Sequence, residues 1–189
     1  MIIGILGTIS SGKGVVADYF KDKGFNYFRL SDIIKKELNK ENKEVTRTSL
    51  QNKGNELRDK FGNNALAELA LKEFNKNKTK DYFIDGIRTI EEIEELRNVQ
   101  DFFLIGIDAP LMMRFERTKK RNKERATQDY EQFLKEDARD RGVNGPANGQ
   151  ATDKCMGLVD YKINNDQGIK ELKEKIEEIY QKISIKFNQ

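Results

Sequence analysis

The 189 residues include no histidine and only one cysteine, Cys155. The first absence excludes imidazole general-base catalysis, histidine metal ligands and every Ser-His or Cys-His nucleophile arrangement. The second excludes an intrachain disulfide and any cysteine-rich metal site. Long apolar runs are missing too: none approaches the ~20 residues that a membrane-spanning helix needs. Nor is there an excess of one charge. The net charge is +3, and Lys and Arg are interspersed with Asp and Glu rather than striped, so no nucleic-acid partner is suggested. Met1–Leu6 reads as a buried strand rather than a cleavable targeting segment, and a reducing cytoplasm is the expected location. Any chemistry here must work without imidazole. Phosphoryl transfer does, because positioning and charge neutralisation supply most of its catalysis.

Against those absences stands Gly7-Thr8-Ile9-Ser10-Ser11-Gly12-Lys13-Gly14, directly after Met1-Ile2-Ile3-Gly4-Ile5-Leu6. The order predicts a buried strand, a glycine-bounded loop and a helix from Gly12 to about Phe20, which is the context of a phosphate-binding P-loop. Gly7 and Gly12 admit backbone angles closed to other residues. The N–H groups of the loop, through Ser10, Ser11, Gly12 and on to Gly14 and Val15, can then wrap a polyphosphate at a helix N-terminus. Lys13 adds a point charge that reaches the β and γ phosphates, and ATP with Mg2+ is the expected ligand. A glycine-rich turn with a chance lysine is the plainer account; the agreement of strand, loop and helix weighs against it. One position departs from the common pattern. Gly14 and Val15 stand where Ser or Thr usually supplies a hydroxyl to magnesium, so Mg2+ is expected through ATP phosphates and water, with Asp85 as a candidate to orient that water.

Short apolar runs alternate with amphipathic helical segments along the chain, as in a parallel sheet covered by helices on both faces. Strands are expected at the start, at Asn26–Leu30, at Tyr82–Ile84, at Phe102–Ile107 and at Tyr161–Ile163. Ser31 is expected to cap a helix to about Lys40, Thr46 or Thr48 another ending at Gly62, and Thr89 one whose Ile90, Ile93 and Leu96 share a face. A helix over Asn63–Asn75, one opened by Pro110 and a terminal one over Ile169–Ile183 complete the inventory. The polar stretch from about 118 to 152 contains the loop Gly142–Gly149 and reads as a lid-like insertion in a single domain over 1–189.

In open sheets of this kind ligands sit beyond the carboxyl ends of the strands, where the candidate residues fall. Asp85-Gly86-Ile87-Arg88 follows the third strand, which would set a carboxylate beside the P-loop and aim Arg88 at an acceptor phosphate. An ordinary strand-to-helix turn is the alternative. Arg114, Arg117 and Arg121 share a helix face; Arg117 and Arg121 are read as phosphate contacts and Arg114 is not. Arginine forks hold phosphate oxygens at two points. Arg139 and Arg141 precede the glycine-rich loop, and a lid there would exclude water. Solvated charged faces would look much the same. Asp32 and Arg58 are open to a cap or surface-ion reading, and Cys155 reads as a small buried residue.

Taken together, Ile9-Ser10-Ser11-Gly12-Lys13-Gly14, Leu30-Ser31-Asp32, Gly54-Asn55-Glu56-Leu57-Arg58, Ile84-Asp85-Gly86-Ile87-Arg88, Gly149-Gln150, Val159-Asp160-Tyr161 and Asn164-Asn165-Asp166 resemble P-loop nucleoside and deoxynucleoside monophosphate kinases. The Gly-Lys-Gly ending is of the adenylate-kinase type. More narrowly the chain is similar to the kinase-like domains associated with deoxycytidylate deaminases, although a deaminase's zinc ligands would need His and several Cys. The resemblance implies a three-layer P-loop kinase fold with a five-stranded parallel sheet and a small helical lid. It implies an acceptor site of Asp32, Arg58 and Arg88, with Lys13, Asp85, Arg117, Arg121 and Arg139 serving catalysis and Asn165 lying near the donor base. Dephospho-coenzyme A kinases share much of this arrangement. A non-catalytic nucleotide sensor is the reading from a different class.

Overall fold

A computed structural model describes residues 1–75, 81–121, 129–143 and 149–187. Five strands, β1 (Ile2–Gly7), β2 (Asn26–Arg29), β3 (Tyr82–Asp85), β4 (Phe102–Asp108) and β5 (Tyr161–Asn164), form one sheet in the order β2-β3-β1-β4-β5. Every pairing is parallel. Between and after them lie α1 (Lys13–Asp22), α2 (Leu30–Lys40), α3 (Arg47–Phe61), α4 (Ala65–Phe74), α5 (Ile90–Arg97), α6 (Leu111–Arg121), α7 (Tyr130–Arg141), α8 (Thr152–Cys155) and α9 (Ile169–Phe187). The expected three-layer α/β fold is what forms.

The period of two in β1 sorts its side chains between two cores. Ile2 and Leu6 pack with Leu30, Ile34, Leu66 and Leu96 beneath α2, α4 and α5. Ile3 and Ile5 pack with Val16, Phe20, Ile176 and Ile183 beneath α1 and α9, where the Phe20 and Phe83 rings stack 4.7 Å apart. Each such burial contributes about 1.5–3 kcal/mol. That is what holds a strand with no polar side chain in the middle of the sheet.

Local signals set the helix ends. Thr46 and Ser49 form a capping box at the start of α3, and Gly62, with φ of +97°, ends it. Thr89 and Glu92 cap α5 in the same way. Ser31 does not cap α2. The helix opens one residue earlier at Leu30, with Arg29 in extended conformation before it and no side-chain cap bond, because Arg29 is still paired with Asp85 across the sheet and the fully buried Leu30 belongs to the core. Parallel pairing brings Gly7, Arg29, Asp85, Asp108 and Asn164 to one edge. Strand order reverses around β1 at that edge, the position at which open sheets of this kind form a ligand crevice.

Candidate phosphate and acceptor site

Backbone shape builds the loop after β1. Gly12 has φ of +116°, and Ser10, a non-glycine, sits at +57°. A Cβ at Gly7 would run into the Ile107 carbonyl, and one at Gly12 into the Asn165 side chain, so both positions admit glycine only. Gly12 is also the N-cap of α1 and carries no side-chain cap, which leaves the positive end of the helix dipole facing the loop. Lys13 Nζ donates to the carbonyls of Gly7 at 2.6 Å and Thr8 at 2.8 Å. Ser11 Oγ is buried without a partner.

The loop is braced from outside. Ser10 Oγ lies 2.7 Å from Thr118 Oγ1, which itself donates to the Arg114 carbonyl. Asn165 Nδ2 donates to the Ser11 carbonyl at 2.7 Å, and Arg117 spans the Ser11 and Asn165 carbonyls. Burial lowers the Arg117 pKa from its ordinary value. Thr8 donates to Asp108 at 2.6 Å. Asn165 and Arg117 thus both reach the loop at the Ser11 carbonyl.

Two of the cavities on this edge adjoin the loop and the strands β2 and β3. One of about 460 Å³ is lined by Ser10 through Val15 with Asp18, Arg29, Asp85 and Arg121. The other, about 250 Å³, lies between β2, β3, α2 and α3 and is lined by Ser31, Ile34, Leu50, Gly54, Arg58, Leu66, Arg88, Asp140 and Gln150 among others. Lys13, Arg29 and Asp85 line both. Asp85 Oδ2 accepts a 2.9 Å bond from the Tyr27 hydroxyl and lies 3.8 Å from Arg29 Nε. Burial, then the Asp85 carboxylate, pushes the Tyr27 phenol up to about 12, so it remains a donor at neutral pH.

In the second cavity the cations are matched by acids. Arg58 Nε and Nη2 both donate to Glu92 Oε1, and that side-chain pair is 3% and 0% exposed. Arg88 Nη1 donates to the Ile87 carbonyl, and its Nε lies 3.4 Å from Asp140. Burial works against the Arg88 charge, but Asp140, Asp85 and Glu92 outweigh it and raise the pKa. The remaining candidates lie elsewhere. Asp32 pairs with Lys35 at 2.6 Å, and Ser31 lines the cavity in its place. Arg139 is exposed and donates to Asn52 on α3. Arg114 is buried against Asp137, which Arg141 also holds. Parts of the lid-like stretch, 122–128 and 144–148, lie outside the described residues.

Sequence reasoning missed Arg29, Glu92, Asp108 and Asp140. Arg29 and Asp108 could have been found as charged residues closing parallel strands. Glu92 had a signal too, as the fourth residue of a Thr89-x-x-Glu92 capping box, though not for its bond to Arg58.

A family model described as an AAA domain matches residues 3–141. A UPF0200 protein from Sulfurisphaera tokodaii is 32% identical over 182 residues, spanning 96% of this chain and 97% of the relative. Among solved structures, TT1252 from Thermus thermophilus is similar with a TM-score of 0.61 and 18% identity over 98% of this chain and 97% of that one. Shikimate kinase from Acinetobacter baumannii, in complex with shikimate, gives 0.55 and 18% over 96% and 93%. Dephospho-CoA kinase from Campylobacter jejuni gives 0.52 and 14% over 96% of each chain. At these identities the structures establish a P-loop kinase-like fold. The AAA-domain match and the full-length relative together place the chain: it belongs to the AAA-domain family and, along nearly its whole length, to the UPF0200 family.

Proposed function

We propose that the protein transfers the γ-phosphoryl group of ATP to the phosphate of a nucleoside or deoxynucleoside monophosphate. The observation that carries this reading is the sharing of Lys13, Arg29 and Asp85 between the P-loop cavity and the smaller cavity beside it. A donor bound on the loop and an acceptor bound against Arg88 would meet at those three side chains. An oxygen of the acceptor phosphate forms the new bond to the γ-phosphorus, the bond from that phosphorus to the β-bridging oxygen breaks, and ADP leaves with the electron pair. A dianionic acceptor loses no proton, which suits a chain without histidine.

Mg2+ would neutralise charge on the transferring group. Phosphate oxygens and water would hold it, with Asp85 as the carboxylate lining both cavities. Residues 118–152 would serve as the lid of a single kinase domain, carrying Arg121 to the phosphates. The absent hydroxyls at Gly14 and Val15 support a second reading, a nucleotide sensor without turnover.

A coupled ADP-release assay against a panel of nucleoside monophosphates and dephospho-coenzyme A tests the proposal. Turnover with a monophosphate is expected; turnover with dephospho-coenzyme A alone would transfer the reading to that substrate. ATP binding with no turnover on any acceptor would leave the sensor. Calorimetry on Lys13→Ala should give ATP affinity roughly tenfold to a hundredfold weaker, as for loss of a hydrogen bond to a charged group. Unchanged affinity would remove the P-loop from the argument.

A further inference from the structure

We infer that Arg29 is a catalytic residue that bridges donor and acceptor phosphates, and that Tyr27 positions it; the inference rests on the proposed phosphoryl transfer. Arg29 closes the edge strand β2, in register with Asp85, and lines both cavities. Its Nε donates to the Tyr27 hydroxyl at 2.6 Å, which in turn donates to Asp85. The guanidinium carbon lies 5.2 Å from the Tyr27 ring centroid. These contacts use one end of the fork, and among the described residues Nη1 and Nη2 make no hydrogen bond. That is the two-point face by which arginine grips phosphate oxygens.

Four other arginines near this edge are engaged. Arg58 is bonded to Glu92, Arg88 faces Asp140, and Arg139 is bound to Asn52 away from both cavities. Arg117 is spent on the carbonyls of Ser11 and Asn165. Among the described arginines, only Arg29 and Arg121 line the P-loop cavity, and of these only Arg29 also lines the second. Charge that spreads over the transferring group between two bound phosphates would therefore fall to Arg29 and Lys13, the cations common to both spaces.

The test compares Arg29→Ala, Arg29→Lys and Tyr27→Phe with the parent in two measurements. Calorimetry uses Mg-ATP and a dinucleoside pentaphosphate, a probe long enough to occupy both cavities. Arg29→Ala should bind ATP within about threefold of the parent and the pentaphosphate roughly a hundredfold more weakly, with Arg29→Lys between. In steady state, kcat of Arg29→Ala should fall by roughly a hundredfold to ten-thousandfold with KM for ATP little changed. Tyr27→Phe should lower kcat by about threefold to tenfold at constant KM, since the fork is kept but its seat is loosened. Equal pentaphosphate binding by Arg29→Ala and the parent, or a kcat within threefold, would overturn the bridging role. A parent inert on every monophosphate whose pentaphosphate binding still depends on Arg29 would sink the kinase reading and the catalytic role with it, and leave Arg29 as the bridging ligand of two phosphate sites.

Discussion

The two sides of the crevice hold their cations by different means. On the loop side backbone carbonyls receive them: Lys13 donates to those of Gly7 and Thr8, and Arg117 to those of Ser11 and Asn165. Around the second cavity the partners are acids, with Glu92 on Arg58 and Asp140 beside Arg88. A neutral carbonyl gives up a cation to an arriving phosphate at little electrostatic cost. A carboxylate competes with the ligand, but it also lets a guanidinium stand in a buried wall, which an unpaired charge could not do. On the proposed reading a polyphosphate on the loop side would displace carbonyls, while an acceptor in the second cavity would have to displace a carboxylate.

The strongest way to break that contrast is to remove the acid that balances the buried wall. Glu92 accepts Arg58 through Oε1 and the N–H groups of Arg88 and Thr89 through Oε2. Glu92→Ala takes away both the ion pair and the α5 cap. Leaving a buried guanidinium alone costs about 3–5 kcal/mol, and urea unfolding should register a loss of that size. Glu92→Gln keeps an oxygen for the cap and should lose less. A Glu92→Ala protein within about 1 kcal/mol of the parent would mean that the wall does not depend on charge balance.

Arg88 sharpens the comparison next. If an acceptor phosphate displaces Asp140 from it, Arg88→Ala should leave ATP binding nearly intact. The transition state should lose about 2–5 kcal/mol, by analogy with truncated charge pairs, or roughly thirtyfold to several thousandfold in kcat/KM. Lysine at the same position should rescue part, since it lacks the planar fork. Parent-like turnover of every acceptor by Arg88→Ala would put the acceptor elsewhere.

The loop side was legible in the sequence because its determinants are contiguous: a buried strand, two glycines and a lysine inside one octapeptide. So was α5, whose Thr89 cap and Ile93 and Leu96 face lie within eight residues. The acceptor wall was not. Arg58 and Glu92 are separated by 34 positions, and nothing local says which acid an arginine will find. Arg29 was hidden for the opposite reason. A lone charge at the end of a short apolar strand reads as its solvated end until the pairing with Asp85 places it between two cavities. Ser31 misled because a good capping residue sat one step inside the helix it was expected to begin.

Gly14 offers the smallest and most local test of the loop side. It is the second residue of α1, and a Cβ there would meet nothing within 4 Å, so Gly14→Ser should fold without strain. Serine is also the better helix former, by roughly 0.5 kcal/mol, which a thermal melt should detect as a slight gain. The new hydroxyl would stand beside Lys13, where other P-loops offer one to magnesium. A contact of about 1 kcal/mol corresponds to roughly fivefold in affinity. Calorimetry should therefore show Mg-ATP binding about fivefold tighter in the variant, with ATP in excess chelator unchanged. A gain confined to the magnesium form would mean that the parent holds its metal with one ligand fewer, leaving phosphate oxygens, water and Asp85 to carry it. Equal affinities in both forms would mean that the metal does not approach residue 14. The loop side of the crevice would then work through Lys13, the loop N–H groups and the α1 dipole.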